Sequence, residues 1–217
     1  MKRIFDITLS AGLILVLLPL FLPLATLLRL TGEGKVFYRQ KRIGAGQQPF
    51  EILKFATMLE NSPIIGTGDI TLRNDPRVLR VGRVLRKTKI NELPQLWNVL
   101  VGDMSIVGPR PLTPNHFNHY NDTDRENIAV VTPGITGLSA LVFRDEEKIL
   151  SDRADPVAFY RDEIVPIKAS LETWYATHAS FRLDILIGLL TAYAILRPGS
   201  RLVRHKVETI SGIKFPF

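Results

Sequence analysis

Residues 7 to 28 read ITLSAGLILVLLPLFLPLATLL, 22 consecutive positions without a charged side chain. As a helix this segment measures about 33 Å, enough to cross the hydrocarbon core of a bilayer. A single spanning anchor is one reading. A signal peptide fits less well, because no small-residue cleavage site lies between the apolar run and Arg29. Pro19 and Pro23 each remove a backbone donor and crowd the preceding turn, so a sharp kink is expected near the middle. Lys2 and Arg3 precede the run, and Arg29, Lys35, Arg39, Lys41 and Arg42 follow it. A spanning helix cannot leave both basic flanks in the cytoplasm, whereas a re-entrant hairpin can. The expectation is therefore a membrane hairpin over residues 1–30, broken at Pro19 and Pro23, followed by a cytoplasmic body over 31–217.

The remainder is rich enough in apolar residues to build a core, since hydrophobic types make up 46% of the 217 residues. There is no cysteine, which excludes disulfides, a thiolate nucleophile and cysteine metal sites. Lys and Arg outnumber Asp and Glu by 28 to 21. The excess lies mostly in the first half, so a polyanionic partner is expected there. Aromatic residues are not interleaved with this charge and no nucleic-acid module pattern is present, which argues against nucleic acid. Phosphate-binding and hydrolase signatures of the GxxxxGK[ST], GxGxxG and GxSxG types are also missing. His116 and His119 form an HxxH pair without a further ligand, and a surface role is expected for them.

Along the chain, TGEGKVFYRQKRIG (31–44) reads as a turn, a short alternating strand and another turn, PFEILKFATM (49–58) repeats the short-strand pattern, and 61–76 is a Gly, Asn, Asp and Pro loop. RVLRVGRVLRKTK places Arg77, Arg80 and Arg83 on one stripe of an amphipathic basic helix. Residues 73–89 hold seven basic side chains against one acid, Asp75. NELPQLWNVL reads as a short helix with Pro94 in its first turn. GDMSIVGPRPLTP is a rigid connection that fixes Arg110, and TPGITG at 132–137 is a turn. Helical patterns resume at 116–125 and at about 165–196, the last ending in ILIGLLTAYAIL, too short to span. The fold class is α/β, mostly helical with a small sheet. A basic wall next to carboxylates beside a membrane segment suits phosphoryl transfer, with Mg²⁺ bridging carboxylate and phosphate oxygens.

KFATM, RNDPRV, LRKTKINELPQLWNVLVGDMSIVGPRPL and PGITG, in that order, resemble the bacterial sugar transferase family, the small monotopic phosphoglycosyl transferases. The resemblance covers nearly the whole chain, from KRIFDITLS to the helices of IVPIKASLETWYATHASFRLDILIGLLT. It implies a re-entrant membrane helix, C-terminal interfacial helices and a place on the cytoplasmic face of a bacterial inner membrane. It also implies transfer of a sugar phosphate from a nucleotide diphosphate sugar, typically UDP-linked, to polyprenyl phosphate with the help of Mg²⁺. Such a step initiates exopolysaccharide, capsule, O-antigen or glycoprotein assembly. Membrane lipid is a partner, no nucleic acid is, and a homodimer is compatible with the pattern.

In that family an Asp-Glu dyad acts, the Asp attacking phosphorus to form a covalent phospho-sugar. Asn91 stands at the Asp position and Glu92 at the Glu position, the latter also a ligand for Mg²⁺. Lys54, Arg86, Arg110 and Asp184 match polar positions around the family's active site, and Arg144 matches more loosely. Ala56 replaces a usual Arg, and Glu172 a common Asp. An amide cannot replace a carboxylate nucleophile, because its nitrogen lone pair is delocalised. Four explanations are open: Glu92 is the nucleophile, the lipid phosphate attacks the donor directly, Asn91 is an engineered substitution, or the chain is an inactive scaffold. An active enzyme whose neighbouring residues compensate, or an engineered Asn, is favoured over a scaffold because the surrounding residues are largely kept.

Overall fold

A computed structural model describes residues 1–216. Helix α1 (Lys2–Leu30) runs unbroken through Pro19 and Pro23. The segment is one continuous helix, with no turn separating two arms at either proline. Each proline forfeits a single hydrogen bond to the preceding turn, and the bonds on either side carry the helix through. Its two ends rest on the same body. Lys2 Nζ lies 2.6 Å from Asp184 Oδ2 and 2.8 Å from the Val107 carbonyl, and buried Asp6 accepts from the Ser105 hydroxyl and the Ile106 amide. At the other end Leu24 and Leu28 pack with Phe55 and Leu85. Leu15, Val16 and Leu22 between them are exposed. Among the described residues, α1 is the one helix long and apolar enough to cross a membrane.

Strands β1 (Phe37–Ile43) and β2 (Pro49–Phe55) form the expected antiparallel hairpin, with Tyr38 opposite Lys54. Side chains alternate between faces along a strand, so Tyr38, Gln40, Arg42 and Lys54 share one face. The loop that follows is organised by Arg77, which is not on a helical stripe but buried ahead of α2 (Arg80–Lys87). A 3-10 turn over Ile90–Glu92 leads into α3 (Gln95–Val101), with Pro94 capping it.

Strand β3 (Ser105–Val107) pairs in parallel with β4 (Gly134–Thr136), so the expected turn at 132–137 is in part a strand. Its short length hides it, since three residues cannot show alternation. The two strands cross closely: a Cβ on Gly134 would sit 2.0 Å from the Gly108 nitrogen, and one on Gly108 2.3 Å from the Thr132 carbonyl oxygen. Between them lie α4 (Pro114–Phe117) and α5 (Asp122–Ala129). After β4 come α6 (Leu138–Val142), α7 (Glu146–Ser151) and α8 (Pro156–Phe159), then a π-helical turn into α9 (Val165–His178). The chain then forms α10 (Phe181–Leu196) and α11 (Arg201–Ser211), the latter not anticipated.

The architecture is mostly helical with two small sheets. Leu138, Ile164, Leu171, Ile187 and Val207 are fully buried at the centre of the main core, which α9 and α10 run through. Helix α10 buries Ile187, Leu190 and Ala194 and leaves Leu189, Ile195 and Leu196 exposed, while Phe181 meets Phe5 of α1 edge to face at 5.5 Å.

Candidate functional site

The hairpin, the turn before α3, the segment after β3, helices α1, α6, α7, α9 and α10 and the π-helical turn before α9 line a cavity of about 500 Å³. Charge is delivered to it for local reasons. The pleat of β1 and β2 turns Tyr38, Arg42 and Lys54 inward. Lys89 has φ 61°, a left-handed conformation that an L-residue adopts at a cost of about 1 kcal/mol or more, and this bend points Asn91 and Glu92 into the cavity. Pro109 and Pro111 hold Arg110, whose backbone amide donates to Glu172 Oε1 at 3.1 Å.

Glu92 is the centre of the polar network. Its Oε1 accepts from Arg110 Nη2 at 2.8 Å and faces Lys54 Nζ at 3.4 Å. Both contacts fall on Oε1, leaving Oε2 without a hydrogen bond from the described residues. Burial pushes this carboxyl up, but Arg110 and Lys54 more than offset it and hold it well below the usual range. Burial likewise pulls Lys54 down to about 7 against the raising effect of Glu92. Asn91 is buried, and its Oδ1 has no hydrogen-bond partner among the described residues.

Lys54, Arg86, Asn91, Glu92, Arg110 and Arg144 all line the cavity. Arg86 meets Glu147 at 2.5 Å, and Arg144 donates to the Ala194 carbonyl at the end of α10. Asp184 does not line it. That residue instead accepts from Lys2 and from the Tyr175 hydroxyl at 2.5 Å, tying α10 to the start of α1. His116 is a correction of the opposite kind: it lines the cavity beside Tyr160, its Nδ1 3.3 Å from the hydroxyl, while His119 is exposed. Arg42, Asp69, Glu146, Glu147 and Lys168 were not singled out by motif. Strand alternation from Lys54 marks Arg42, but Lys168 reaches the cavity from α9 by tertiary packing, its ammonium 4.9 Å from the Tyr160 ring centre and paired with Glu146.

Residues 1–198 match the family described as bacterial sugar transferase. The chain belongs to that family. It is 37% identical over 199 residues to a UDP-glucose:undecaprenyl-phosphate glucose-1-phosphate transferase of Caulobacter vibrioides, covering 90% of this chain and 69% of that protein. It is 38% identical over 159 residues to the exopolysaccharide production protein ExoY of Sinorhizobium fredii, 67% of this chain and 70% of the relative. An undecaprenyl-phosphate galactose phosphotransferase of Salmonella typhimurium is 33% identical over 211 residues, 91% of this chain and 40% of its own length. This sugar transferase is thus a sugar-phosphate transferase enzyme, and its cavity combines the basic residues and the acid that such chemistry requires.

Behind the transferase's Arg110 sits buried Glu172, which also accepts from the Ser139 hydroxyl. Burial pushes its carboxyl from 4.5 up to about 7, against the lowering effect of those two donors. Between those values the folded chain keeps a proton that the unfolded chain has released, so this group lowers stability as pH rises from about 4.5 to about 7. Glu172→Gln is expected to flatten that part of the melting temperature against pH curve. An unchanged slope would assign the dependence to another group.

Proposed function

We propose that the chain moves a sugar phosphate from a UDP-sugar to a polyprenyl phosphate at the cytoplasmic face of a bacterial inner membrane, as a step in exopolysaccharide assembly. The observation that carries this reading is one cavity lined both by Glu92, Lys54, Arg86 and Arg110 and by Leu13 and Leu17 of α1. Diphosphate oxygens suit the cations, and a long lipid suits the apolar helix. We read α1 as dipping into the membrane with both ends on the cytoplasmic side. Its two ends are fastened to one body, and basic residues flank both.

Asn91 directs the chemistry. With an amide there, the acceptor phosphate oxygen attacks the sugar-bearing phosphorus directly. A new P–O bond to the lipid forms as the bond to UMP breaks, and the departing UMP oxygen carries away the electron pair. Glu92 serves less well as the nucleophile, since two cations already hold its Oε1 and depress its basicity. Lys54, Arg86 and Arg110 bind the charge that accumulates on the transferring group.

Among the described residues no three His, Asp or Glu side chains converge to form a ready-made metal cage. Mg²⁺ commonly takes one or two carboxylates and completes its shell with substrate phosphates and water, so Glu92 Oε2 fits as its protein ligand. The ion would supply further charge stabilisation at the phosphates. Radiolabelled UDP-sugars, undecaprenyl phosphate and Mg²⁺ test the proposal in one assay, with lipid-linked product expected for at least one donor. Absence of product across the donor panel would sink it. Intact-mass measurement during turnover is expected to find no phospho-sugar on the wild-type chain and an adduct on Asn91→Asp; an adduct on the wild type would overturn direct attack.

A further inference from the structure

We propose that Asp69 reads hydroxyls: its carboxylate accepts hydrogen bonds from a vicinal diol of the donor and so takes part in selecting it. This rests on the donor-site reading of the cavity given above. Four carboxylates line that cavity, namely Asp69, Glu92, Glu146 and Glu147. Three of them already face cations of the protein: Glu92 faces Lys54 and Arg110, Glu146 faces Lys168, and Glu147 faces Arg86. Asp69 alone has neither an ion pair nor a hydrogen bond to its carboxylate among the described residues. It is a bare acceptor in a cavity whose other acids are matched.

The local backbone holds it there. Arg77 is buried, pinned on one side by both carboxylate oxygens of Asp75, and its guanidinium donates to the carbonyls of Ser62, Ile65, Gly68 and Ile70. Gly68 and Ile70 flank Asp69, and each carbonyl lies 2.7 Å from the same guanidinium. The chain on both sides of Asp69 is therefore fixed, and the side chain cannot travel far to find a cation.

Its surroundings differ from those of Glu92. Tyr38, Arg42 and His116 share the cavity with it, and its charge reaches all three. Burial pulls His116 down to about 4, more than Asp69 raises it, so the ring is neutral at physiological pH. Its partner Tyr160 is a neutral hydroxyl. Arg42 is the link between the two regions, since it lies within the fields of Asp69, Arg110 and Glu92. A phosphate needs the cations around Glu92. A sugar or ribose ring instead offers hydroxyl donors, and one carboxylate can accept from two adjacent hydroxyls at once, with charge assistance. A divalent cation fits Asp69 poorly, because it is one carboxylate with the charge of Arg42 close by.

Vicinal hydroxyls occur on both the sugar and the ribose of a UDP-sugar, and the test separates them. Full-length enzyme in lipid nanodiscs is assayed with whichever of UDP-glucose, UDP-galactose and UDP-N-acetylgalactosamine it uses, and with analogues of that donor each lacking one sugar hydroxyl. Asp69→Asn and Asp69→Ala are expected to raise the donor KM about tenfold or more, with kcat little changed, the size expected for a lost charged hydrogen bond. A UDP Kd that stays at the wild-type value assigns the diol to the sugar. In that case two analogues lacking adjacent sugar hydroxyls each show part of that KM rise with wild-type enzyme, and Asp69→Asn raises their KM by less than it raises that of the full donor. A UDP Kd that rises with the donor KM assigns the diol to the ribose.

The deoxy arm needs no variant, and melting temperatures of the variants near that of the wild type exclude misfolding as the cause. Donor KM and UDP Kd unchanged in both variants, with active wild type, would overturn the assignment of Asp69 alone. A raised Mg²⁺ requirement with hydroxyl discrimination intact would overturn it too. Wild type that neither binds nor turns over any UDP-sugar would overturn this inference together with the function it rests on.

Discussion

In a Glu92→Gln variant, turnover is expected to fall by about a thousandfold or more, the scale seen when one preorganised electrostatic group is removed. Glutamine keeps the shape and one acceptor oxygen but loses the charge that balances Lys54 and Arg110. The substrate-free variant then leaves Arg110 without its counter-ion, and Lys54, already pulled down to about 7 with Glu92 in place, loses the carboxylate that helps it keep its proton. Lys54 is 15% exposed and Arg110 35%. Solvent screening at that exposure limits the stability loss to about 1–3 kcal/mol. A bound diphosphate supplies the missing negative charge, so UDP should raise the melting temperature of the variant by more than it raises that of the wild type. Wild-type turnover in Glu92→Gln would remove Glu92 from the mechanism, and equal UDP stabilisation in both proteins would remove the charge argument.

Gly134→Ala is expected to cost about 4 kcal/mol or more, enough to prevent folding of many domains of this size. The added Cβ meets the Gly108 nitrogen at 2.0 Å and the Thr136 carbonyl oxygen at 2.6 Å. These are backbone atoms of both strands, so no side chain can swing aside. Relief would require β3 and β4 to separate, and that moves Arg110, two residues beyond Gly108. Gly12→Ala is the matched control, because nothing lies within 4 Å of its Cβ position. Soluble Gly134→Ala with a wild-type melting temperature would show that the crossing is looser than these distances imply.

What the sequence makes legible follows physical range. The hairpin β1–β2 is visible because seven-residue strands carry alternation, and α1 because composition alone marks it. Lys54, Arg86, Asn91, Glu92, Arg110 and Arg144 are reached through a family resemblance and then found around one cavity. Strand β4 and its crossing with β3 escape, because a three-residue parallel pair is fixed by distant backbone contacts rather than by local pattern. Asp184, named through the same resemblance, lies off the cavity, and no local pattern announces its partner Lys2, 182 positions away. Arg77 looks like one of several basic surface residues until its loop folds around it, and Lys168 until α9 packs. The unbroken course of α1 through two prolines shows the limit of reading a local cost as a boundary.

Leu13 and Leu17 line the same cavity as Lys54 and Glu92. On the proposed function, this adjacency changes the dimensionality of the encounter. The acceptor need never leave the leaflet to react: its chain can stay in hydrocarbon while its phosphate slides sideways to the cations. Only the water-soluble donor arrives by three-dimensional diffusion. The rate should therefore follow the surface density of acceptor in the bilayer rather than its concentration in the bulk volume, so diluting the acceptor with inert lipid at constant total amount should slow the reaction.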